Sequence, residues 1–266
     1  MHVVALMKLG GPMEPEAAAL AVDLGIAPYD ARMLLTGTPP CIVSTVAEQA
    51  RAQDLAGRMQ RRGNGVVCLD GARIVATEAM TSMRRFRLEP QGIGAGGEQG
   101  DAWLPYEDVF AILRAVHRTT MAHKETVVER KMRPGAALMT GGVVMSSTTK
   151  KEIDQKQDDR ENVLYLFRRS GERPWILQET QAKYTGLGAD LQPTSVLNFQ
   201  RTIKILRERM TFATYDDRLV GVRRIPERIS SNVAGTRSEV TSGSGVDLLA
   251  HVLASWIASS HETPYR

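Results

Sequence analysis

The residues "AVDLGIAPYDARMLLTG", Ala21–Gly37, predict two short helices separated by a tight turn. Gly25 can adopt the left-handed backbone conformation that ends many helices. Pro28 suits the first turn of a new helix, because its fixed φ is helical and its missing N–H has no partner there anyway. Gly37 then ends the second helix. The stretch therefore predicts an αα unit rather than one continuous helix.

The flanking sequence completes a β-α-α-β-α-β order within residues 2–70. Apolar and β-branched runs of strand length stand before the helical pair, after it, and near residue 67, namely "HVVALMKL", "PPCIVSTVA" and "GVVCLD". The segment "AEQARAQDLAGRMQRRG" between the last two runs predicts a helix with Ala50, Leu55 and Met59 on one face. We expect a small α+β domain over residues 1–75.

This order, with its two glycine-terminated helices, resembles the C-terminal domain of the bacterial ribosomal stalk protein. The resemblance rests on "ALAVDLGIAPYDARMLLTGTP", the strand after it, the helix 47–62, Gly63 and the final strand. In that family the paired helices present lysines to translation factors. The equivalent stretch here, Pro15–Gly37, instead holds Glu16, Asp23, Asp30 and Arg32. The resemblance therefore implies a fold and carries over no binding residue.

Residues 84–210 predict strands that one helix closes. "RRFRLEPQGI" alternates between apolar and charged side chains, and "VLYLFRR" is apolar on both faces, as a central strand would be. "WILQETQAKY" is the next strand, whereas residues 106–118 fit either a strand or a helix. "TSVLNFQRTIKILRERM" predicts an amphipathic helix that Thr194 or Ser195 can cap. Its apolar face consists of Val196, Phe199, Ile203 and Leu206.

This middle region resembles a bacterial pleckstrin-homology-like domain. The residues that carry the resemblance are "RFRLEPQGI", "LPYEDVFAI", "VLYLFRR", "PWILQE" and the helix from Val196 to Arg209, with "LPYEDV" as the bend after the first hairpin. The family implies a binding platform without catalysis.

The remaining segments predict connections and one last helix. Residues 71–83 read as a linker strand or loop, "GAGGEQGD" as a flexible loop, and "ALMTGGVVMS" as a strand. The polar run 146–162 predicts an exposed hairpin tip, since it has almost nothing apolar to bury. Residues 211–245 predict a linker that ends in "TSGSG", and residues 246–260 predict an amphipathic helix. The whole chain is thus expected to be an α+β protein of two modules with a tethered C-terminal helix.

Several catalytic or metal-binding patterns were sought and interpreted as structural. "GIGAGG", Gly92–Gly97, matches the dinucleotide-binding motif by letter, but no helix follows it to hold phosphates. His117 and His123 lack a second pair of zinc ligands and are interpreted as solvated or capping side chains. Cys41 and Cys68 lie in predicted strands and are interpreted as buried thiols, and Tyr215–Asp217 as a solvated turn. We predict no catalytic residue, metal or cofactor.

Arginines supply one candidate binding face. The net charge of +4 arises within residues 76–210, which hold 21 basic and 17 acidic residues. If the strands 84–90 and 163–169 approach each other, their arginines would form an anion-binding patch, because guanidinium groups bind phosphate and carboxylate in a fixed geometry. A merely solvated sheet face is the alternative. The residues concerned are Arg84, Arg85, Arg87, Arg168 and Arg169, with Arg173 nearby.

The C-terminal helix supplies a second candidate. Its apolar face, which includes Leu249, Leu253 and Trp256, could pack on its own domain or fill a groove on a partner. In the second case Trp256 would be the main anchor, because tryptophan is enriched at interface hot spots.

The sequence favours a non-catalytic bacterial adaptor or scaffold that binds another protein. The alternative is a binder of an anionic ligand, nucleic acid or a membrane surface, through the arginine face. Two isolated cysteines indicate a reducing cytoplasm. The N-terminus predicts no signal peptide, and no apolar run is long enough to span a membrane. Neither the partner nor the oligomeric state follows from the sequence.

Overall fold

The computed structural model describes residues 1–97, 100–132, 146–222, 228–230, 237–241 and 243–262. The chain divides into two compact units. The larger unit contains residues 1–117, 161–226 and 242–266, and the smaller one contains residues 118–160 and 227–241. The described residues form both α-helices and β-sheets, which confirms the α+β class.

The N-terminal segment has the predicted β-α-α-β-α-β order. Gly25 ends the first helix with φ of 65°, and Ile26 N–H donates to the carbonyl of Ala21 over 3.0 Å. Pro28 occupies the first turn of the second helix. The elements are β1 His2–Lys8, α1 Met13–Leu24, α2 Pro28–Leu35, β2 Cys41–Val46, α3 Gln49–Arg61 and β3 Gly65–Asp70.

These strands form an antiparallel sheet in the order β2-β1-β3. Successive side chains of β1 point to opposite faces. Val4 and Leu6 pack against α1, α2 and α3, whereas Ala5 and Met7 belong to a second hydrophobic cluster. That second cluster also contains apolar residues of the C-terminal helix. The separate folding of residues 1–75 stays a prediction, since one face of this sheet is covered by a helix from outside that range.

Among the described residues, the rest of the larger unit is built from eight strands, two of which extend into the smaller unit, and two α-helices. Single 3-10 turns occur at Gly71–Arg73, Thr77–Ala79 and Tyr106–Asp108, and a longer 3-10 segment spans Tyr184–Asp190. The elements that follow β3 are β4 Thr81–Ser82, β5 Phe86–Leu88, β6 Gly92–Gly97, β7 Gly100–Pro105, β8 Val109–Met132, β9 Ser146–Arg168, β10 Trp175–Gln178, α4 Ser195–Arg209 and β11 Thr214–Leu219. The chain then reaches β12 Arg228–Ser230, β13 Arg237–Thr241 and α5 Gly243–Glu262.

In the larger unit the main sheet has the order β11-β8-β9-β10-β4. Its strands alternate between two cores. Tyr165 and Phe167 join the α5 cluster, whereas Leu164 and Leu166 join a third cluster with α4 and the small sheet β5-β6-β7. The prediction of a central strand at "VLYLFRR" is confirmed, because residues 163–166 are fully buried between β8 and β10. The predicted helix is also confirmed as α4, with Thr194 capping it, although Val196 is exposed rather than buried.

The glycine-rich run is a strand, so the prediction of a loop at residues 94–97 is wrong. Ile93 and Ala95 point into the core, and the glycines of β6 alternate with them. A Cβ at Gly92 would lie 2.5 Å from the carbonyl oxygen of Leu104 and 2.7 Å from the indole of Trp103. The glycine therefore serves close packing of β6 against β7. Residues 100–101 likewise belong to β7.

One alternative is settled and two predictions are corrected. Of the two possibilities left open for residues 106–118, the structure has the strand, over residues 109–118, after a 3-10 turn at Tyr106–Asp108. The polar run 146–162 belongs to β9 and is not a hairpin tip, and the predicted linker 211–245 contains β11, β12 and β13. Sheet hydrogen bonds join backbones, so a strand can form from a polar sequence that shows no apolar periodicity. The strand predicted over 137–145 lies outside the described residues.

The smaller unit contains residues 118–132 of β8 and 146–160 of β9 together with β12 and β13. β13 pairs antiparallel with β8, with Arg237 opposite His123 and Thr241 opposite Thr119. β12 pairs antiparallel with β13. Across the described part of the chain, no helix combines the length and the apolar character needed to cross a bilayer.

Candidate functional site

The inner face of α1 is fixed to α3 by buried charges. Arg62, at the end of α3, donates two hydrogen bonds to the carboxylate of Glu16, over 2.9 and 2.8 Å. Its Nη2 also lies 2.9 Å from Oδ2 of Asp23. Glu16 and Asp23 are both nearly inaccessible to solvent. Hydrogen bonding to Glu16 raises the pKa of Arg62, so its charge is secure. α1 is thereby held in one position.

The outer face of α1 carries exposed apolar residues after Glu14. Ala17, Leu20 and Ala21 fill the core on the inner side, yet Ala18 and Val22 face solvent. Val22 is 84% exposed, and Tyr29 at the start of α2 is 71% exposed. Solvent-facing positions of a surface helix ordinarily carry polar residues. Ala18 and Val22 depart from that pattern.

The connection between the two helices continues the same surface. Gly25, Ala27 and Pro28 are exposed, and no charged side chain stands between Asp23 and Asp30. We call the exposed residues Val22, Gly25, Ala27, Pro28 and Tyr29 the α1–α2 corner. Because the last turn of α1 leads directly into the first turn of α2, these residues lie at one end of the helical pair. Asp30 borders the corner, and no basic group lies within 4.0 Å of it among the residues described.

The strands that carry the predicted arginine face belong to different sheets, and one of its arginines is already paired. Arg168 lies in the main sheet, and its Nε donates to Asp108 over 2.6 Å, with a second ion pair to Glu172. Its side chain is largely buried by these contacts. Arg84, Arg85 and Arg87 are exposed, on the small sheet or next to it. The small sheet does not pair with β9. Arg169 donates to the carbonyl of Phe212. An anion-binding role for the exposed arginines stays a prediction.

The C-terminal helix packs on its own unit. Leu249 and Leu253 are buried in the cluster that α5 shares with the two sheets. Trp256 is partly buried at the edge of that cluster, and a Cβ at Gly65 would lie only 2.8 Å from its indole. Of the two fates that the sequence left open, self-packing is the arrangement in the structure. Leu249 and Leu253 are thus covered by the chain itself, whereas a role of Trp256 in binding a partner stays a prediction.

A buried polar network that no local sequence pattern indicates ties α5 to the rest of the larger unit. Asp247 accepts hydrogen bonds from Thr77 N–H, from Thr77 Oγ1 and from Tyr165 OH, each over 2.8 Å. His117 lies next to them, with Nε2 2.6 Å from the Tyr165 hydroxyl. The prediction that His117 is solvated is therefore wrong.

The protons of this network can be assigned from its chemistry. Burial and the charge of Asp247 raise the pKa of Tyr165 well above its usual value, so its hydroxyl remains protonated and donates to Asp247. His117 Nε2–H then donates to the Tyr165 oxygen. His251 donates from Nδ1 to the carbonyl of Asp247 over 2.8 Å and accepts the Val75 N–H at Nε2 over 3.1 Å. A neutral His251 ring therefore has both nitrogens satisfied.

We expect this arrangement to make stability depend on pH. Burial lowers the pKa of His117, against the opposing charge of Asp247, and burial also lowers the pKa of His251. A lowered pKa in the folded state means that the unfolded chain binds protons first. Stability is therefore complete above the ordinary value of 6.5 and is lost as pH falls below it, by up to about 1.4 kcal/mol per pH unit for each histidine.

The measurement is the free energy of unfolding in urea from pH 7.5 to the onset of acid unfolding. His251→Gln should reduce the slope below pH 6.5, whereas His2→Gln, a change outside the network, should leave it unaltered. A flat profile in the unmodified chain between these limits would show that the two histidines are not held neutral.

The remaining candidate residues are structural. Cys68 is exposed and Cys41 is half-buried, so the prediction of two buried thiols is wrong; neither is in a disulfide. Cys68 lies on β3, an edge strand, which leaves its side chain uncovered. Tyr215–Asp217 belongs to β11 and is not a turn. No group of three or more histidine, cysteine or acidic side chains that could hold a metal occurs in the described residues.

The α1–α2 corner was missed in the sequence although a signal for it existed. The outer positions of α1 carry Ala18 and Val22, where a surface helix normally has polar residues. Comparison of the chain with protein-family models, curated proteins and solved structures finds no match. The corner is thus identified by geometry alone.

Proposed function

We propose that this chain is a non-catalytic adaptor of the bacterial cytoplasm that binds another protein through the α1–α2 corner. The observation that supports it is the exposure of Val22 and Tyr29, 84% and 71%, on a helix pair whose other face already fills a core. Exposed apolar clusters on soluble domains mark interaction sites. Tyrosine is enriched among the residues that dominate binding energy.

The surroundings of the corner define the chemistry of the partner. The corner contains no charged side chain, and Val22 and Tyr29 are mostly exposed, so an apolar recess that receives these two side chains is a suitable complement. Asp30 has no ion pair within 4.0 Å among the described residues, and a basic group at the rim of that recess would pair with it. We therefore propose a protein partner with an apolar recess bordered by lysine or arginine.

The rigidity of α1 supports the same role. Arg62 fixes the inner face of α1 through Glu16 and Asp23, so the outer face is presented in one arrangement before any partner binds. Preorganisation of this kind lowers the entropy lost on binding. Two unpaired cysteines support a reducing compartment.

The proposal is tested with the full chain as bait in a lysate of the native host. We expect Val22→Glu combined with Tyr29→Ser to abolish capture of proteins that the unmodified chain retains, without lowering its melting temperature, because both side chains are solvated. Phe212→Ser is the matched control, since Phe212 is an equally exposed aromatic residue outside the corner, at 78%. It should leave capture intact.

Two results would contradict the proposal. If the corner variant and the Phe212→Ser variant retain the same proteins as the unmodified chain, the corner binds nothing. If the unmodified chain is a dimer in light scattering and the corner variant is a monomer, the corner is an interface between copies and the adaptor role is wrong.

A further inference from the structure

An open groove of about 590 Å³ lies between α4 and the edge of the main sheet. One wall is α4, and the other is formed by Tyr215 of β11 with Arg114 of β8. The residues that line it are Arg114, Gln200, Ile203, Lys204, Arg207, Glu208 and Tyr215. The volume is in the range of sites that hold small molecules.

The wall formed by α4 is continuous. Its lining residues recur at three and four positions, from Gln200 through Ile203 and Lys204 to Arg207 and Glu208. Such residues share one helix face. At 1.5 Å per residue they extend along about 12 Å of the helix axis. The groove therefore accommodates a molecule rather than a single ion.

Basic side chains dominate this lining. The lining contains three cations, Arg114, Lys204 and Arg207, and one acid, Glu208. A second acid, Asp217, lies close enough to act on Tyr215. None of the three cations has a carboxylate within 4.0 Å among the described residues, whereas Arg168 and Arg201 are both paired. Their charges are available to a ligand.

Neighbouring groups hold the side chains of Arg114 and Arg207 in place. The guanidinium of Arg207 stacks on the ring of Tyr215, 4.3 Å from its centre. Arg114 Nη2 donates to Asn162 over 3.1 Å, and Asn162 in turn donates to Glu179 over 2.6 Å. The Nε–H of Arg114 is buried and has no acceptor among the described residues. A buried donor of this kind ordinarily has a partner.

We propose that this groove binds the phosphate group of a small phosphorylated molecule. Guanidinium groups that are already oriented bind phosphate oxygens with little loss of side-chain entropy. Ile203 and the stacked Arg207–Tyr215 pair supply apolar and planar surface for the organic part of the ligand. This site is separate from the α1–α2 corner in sequence and does not depend on the adaptor function.

The test uses the full chain and two probes, inorganic phosphate and pyrophosphate, titrated by calorimetry at constant ionic strength. We expect both to bind, pyrophosphate more tightly. Arg207→Gln and Lys204→Gln should each weaken pyrophosphate at least about tenfold, equivalent to 1.4 kcal/mol. Arg207→Lys should weaken it less, since it keeps the charge and loses the planar geometry. Arg173→Gln, an exposed cation outside the groove, should have no effect.

The test does not depend on the Arg114 variant, which could fail to fold. Arg114 is partly internal, so Arg114→Gln is used only if its circular dichroism matches that of the unmodified chain. Arg207 and Lys204 lie on the surface of α4 and test the groove without it. Failure of both probes to bind at millimolar concentration, or an equal loss in Arg173→Gln, overturns the proposal.

A third arm separates small ligands from nucleic acid. Single-stranded oligonucleotides should not bind more tightly than pyrophosphate, because only three unpaired cations line the groove. Tighter binding with a steep dependence on salt would indicate release of many counterions. That result would assign the site to nucleic acid and overturn the small-molecule proposal.

Discussion

Asp247→Ala is expected to lower the free energy of unfolding by about 4 kcal/mol, a large fraction of the total stability of an ordinary domain. The carboxylate of Asp247 accepts three hydrogen bonds and is 1% exposed. Its removal leaves the Thr77 N–H, the Thr77 hydroxyl and the Tyr165 hydroxyl without their acceptor in a place that water cannot easily reach. Each such donor costs roughly 1–3 kcal/mol.

Urea unfolding followed by circular dichroism provides the measurement. Asp247→Asn keeps the shape, but its amide NH2 would face the Thr77 N–H, so we expect an intermediate loss of about 2 kcal/mol. Asp190→Ala is the matched control, because Asp190 is 46% exposed in its pair with Arg201; exposed pairs contribute up to about 1 kcal/mol. Equal losses at positions 247 and 190 would mean that the network does not anchor α5.

Arg62→Ala is expected to cost about 3 kcal/mol, because it leaves the carboxylate of Glu16 buried without its cation. Glu16 is 7% exposed. Asp23 keeps a weaker contact with Arg58, at 3.4 Å, which limits its part of the loss. Arg62→Lys should recover only part of the stability, since an ammonium group cannot make the paired hydrogen bonds of the guanidinium.

The matched control lies on the same helix. Arg51 pairs with Glu48 over 2.9 Å, but both side chains are mostly exposed. Arg51→Ala should therefore change stability by less than about 0.5 kcal/mol. The measurement is the denaturant midpoint of Arg62→Ala, Arg62→Lys and Arg51→Ala at one pH. An Arg62→Ala variant as stable as Arg51→Ala would sink the view that this ion pair fixes α1.

Local signals were sufficient for the N-terminal fold. Gly25 and Pro28 determine the ends of the first two helices through their own backbone preferences, and the order of six elements followed. The buried central strand at residues 163–168 was also predictable, because a run that is apolar on both faces has few alternatives. The polar strand at residues 146–162 was not, since its sequence has no apolar periodicity from which a strand could be predicted.

The candidate sites divide in the same way. The sequence shows that Ala18 and Val22 are apolar. Whether they are exposed depends on which face of α1 the other helices and strands cover. The groove joins residues of β8, α4 and β11, from position 114 to position 215. No local pattern connects them, and the arginines that the sequence grouped, such as Arg168, are paired elsewhere.

By itself, therefore, the sequence determined those features whose cause lies within one turn or one strand. These are the end of α1 at Gly25, the start of α2 at Pro28, a capped start of α4 and the α+β class. Only the tertiary structure decided the environment of single side chains. His117 is buried against Tyr165, which is 48 positions away along the chain. Asp247 anchors α5 through Thr77, which is 170 positions away along the chain but in direct contact with it. Burial and charge pairing arise from such distant contacts, which a reading of neighbours along the chain does not contain.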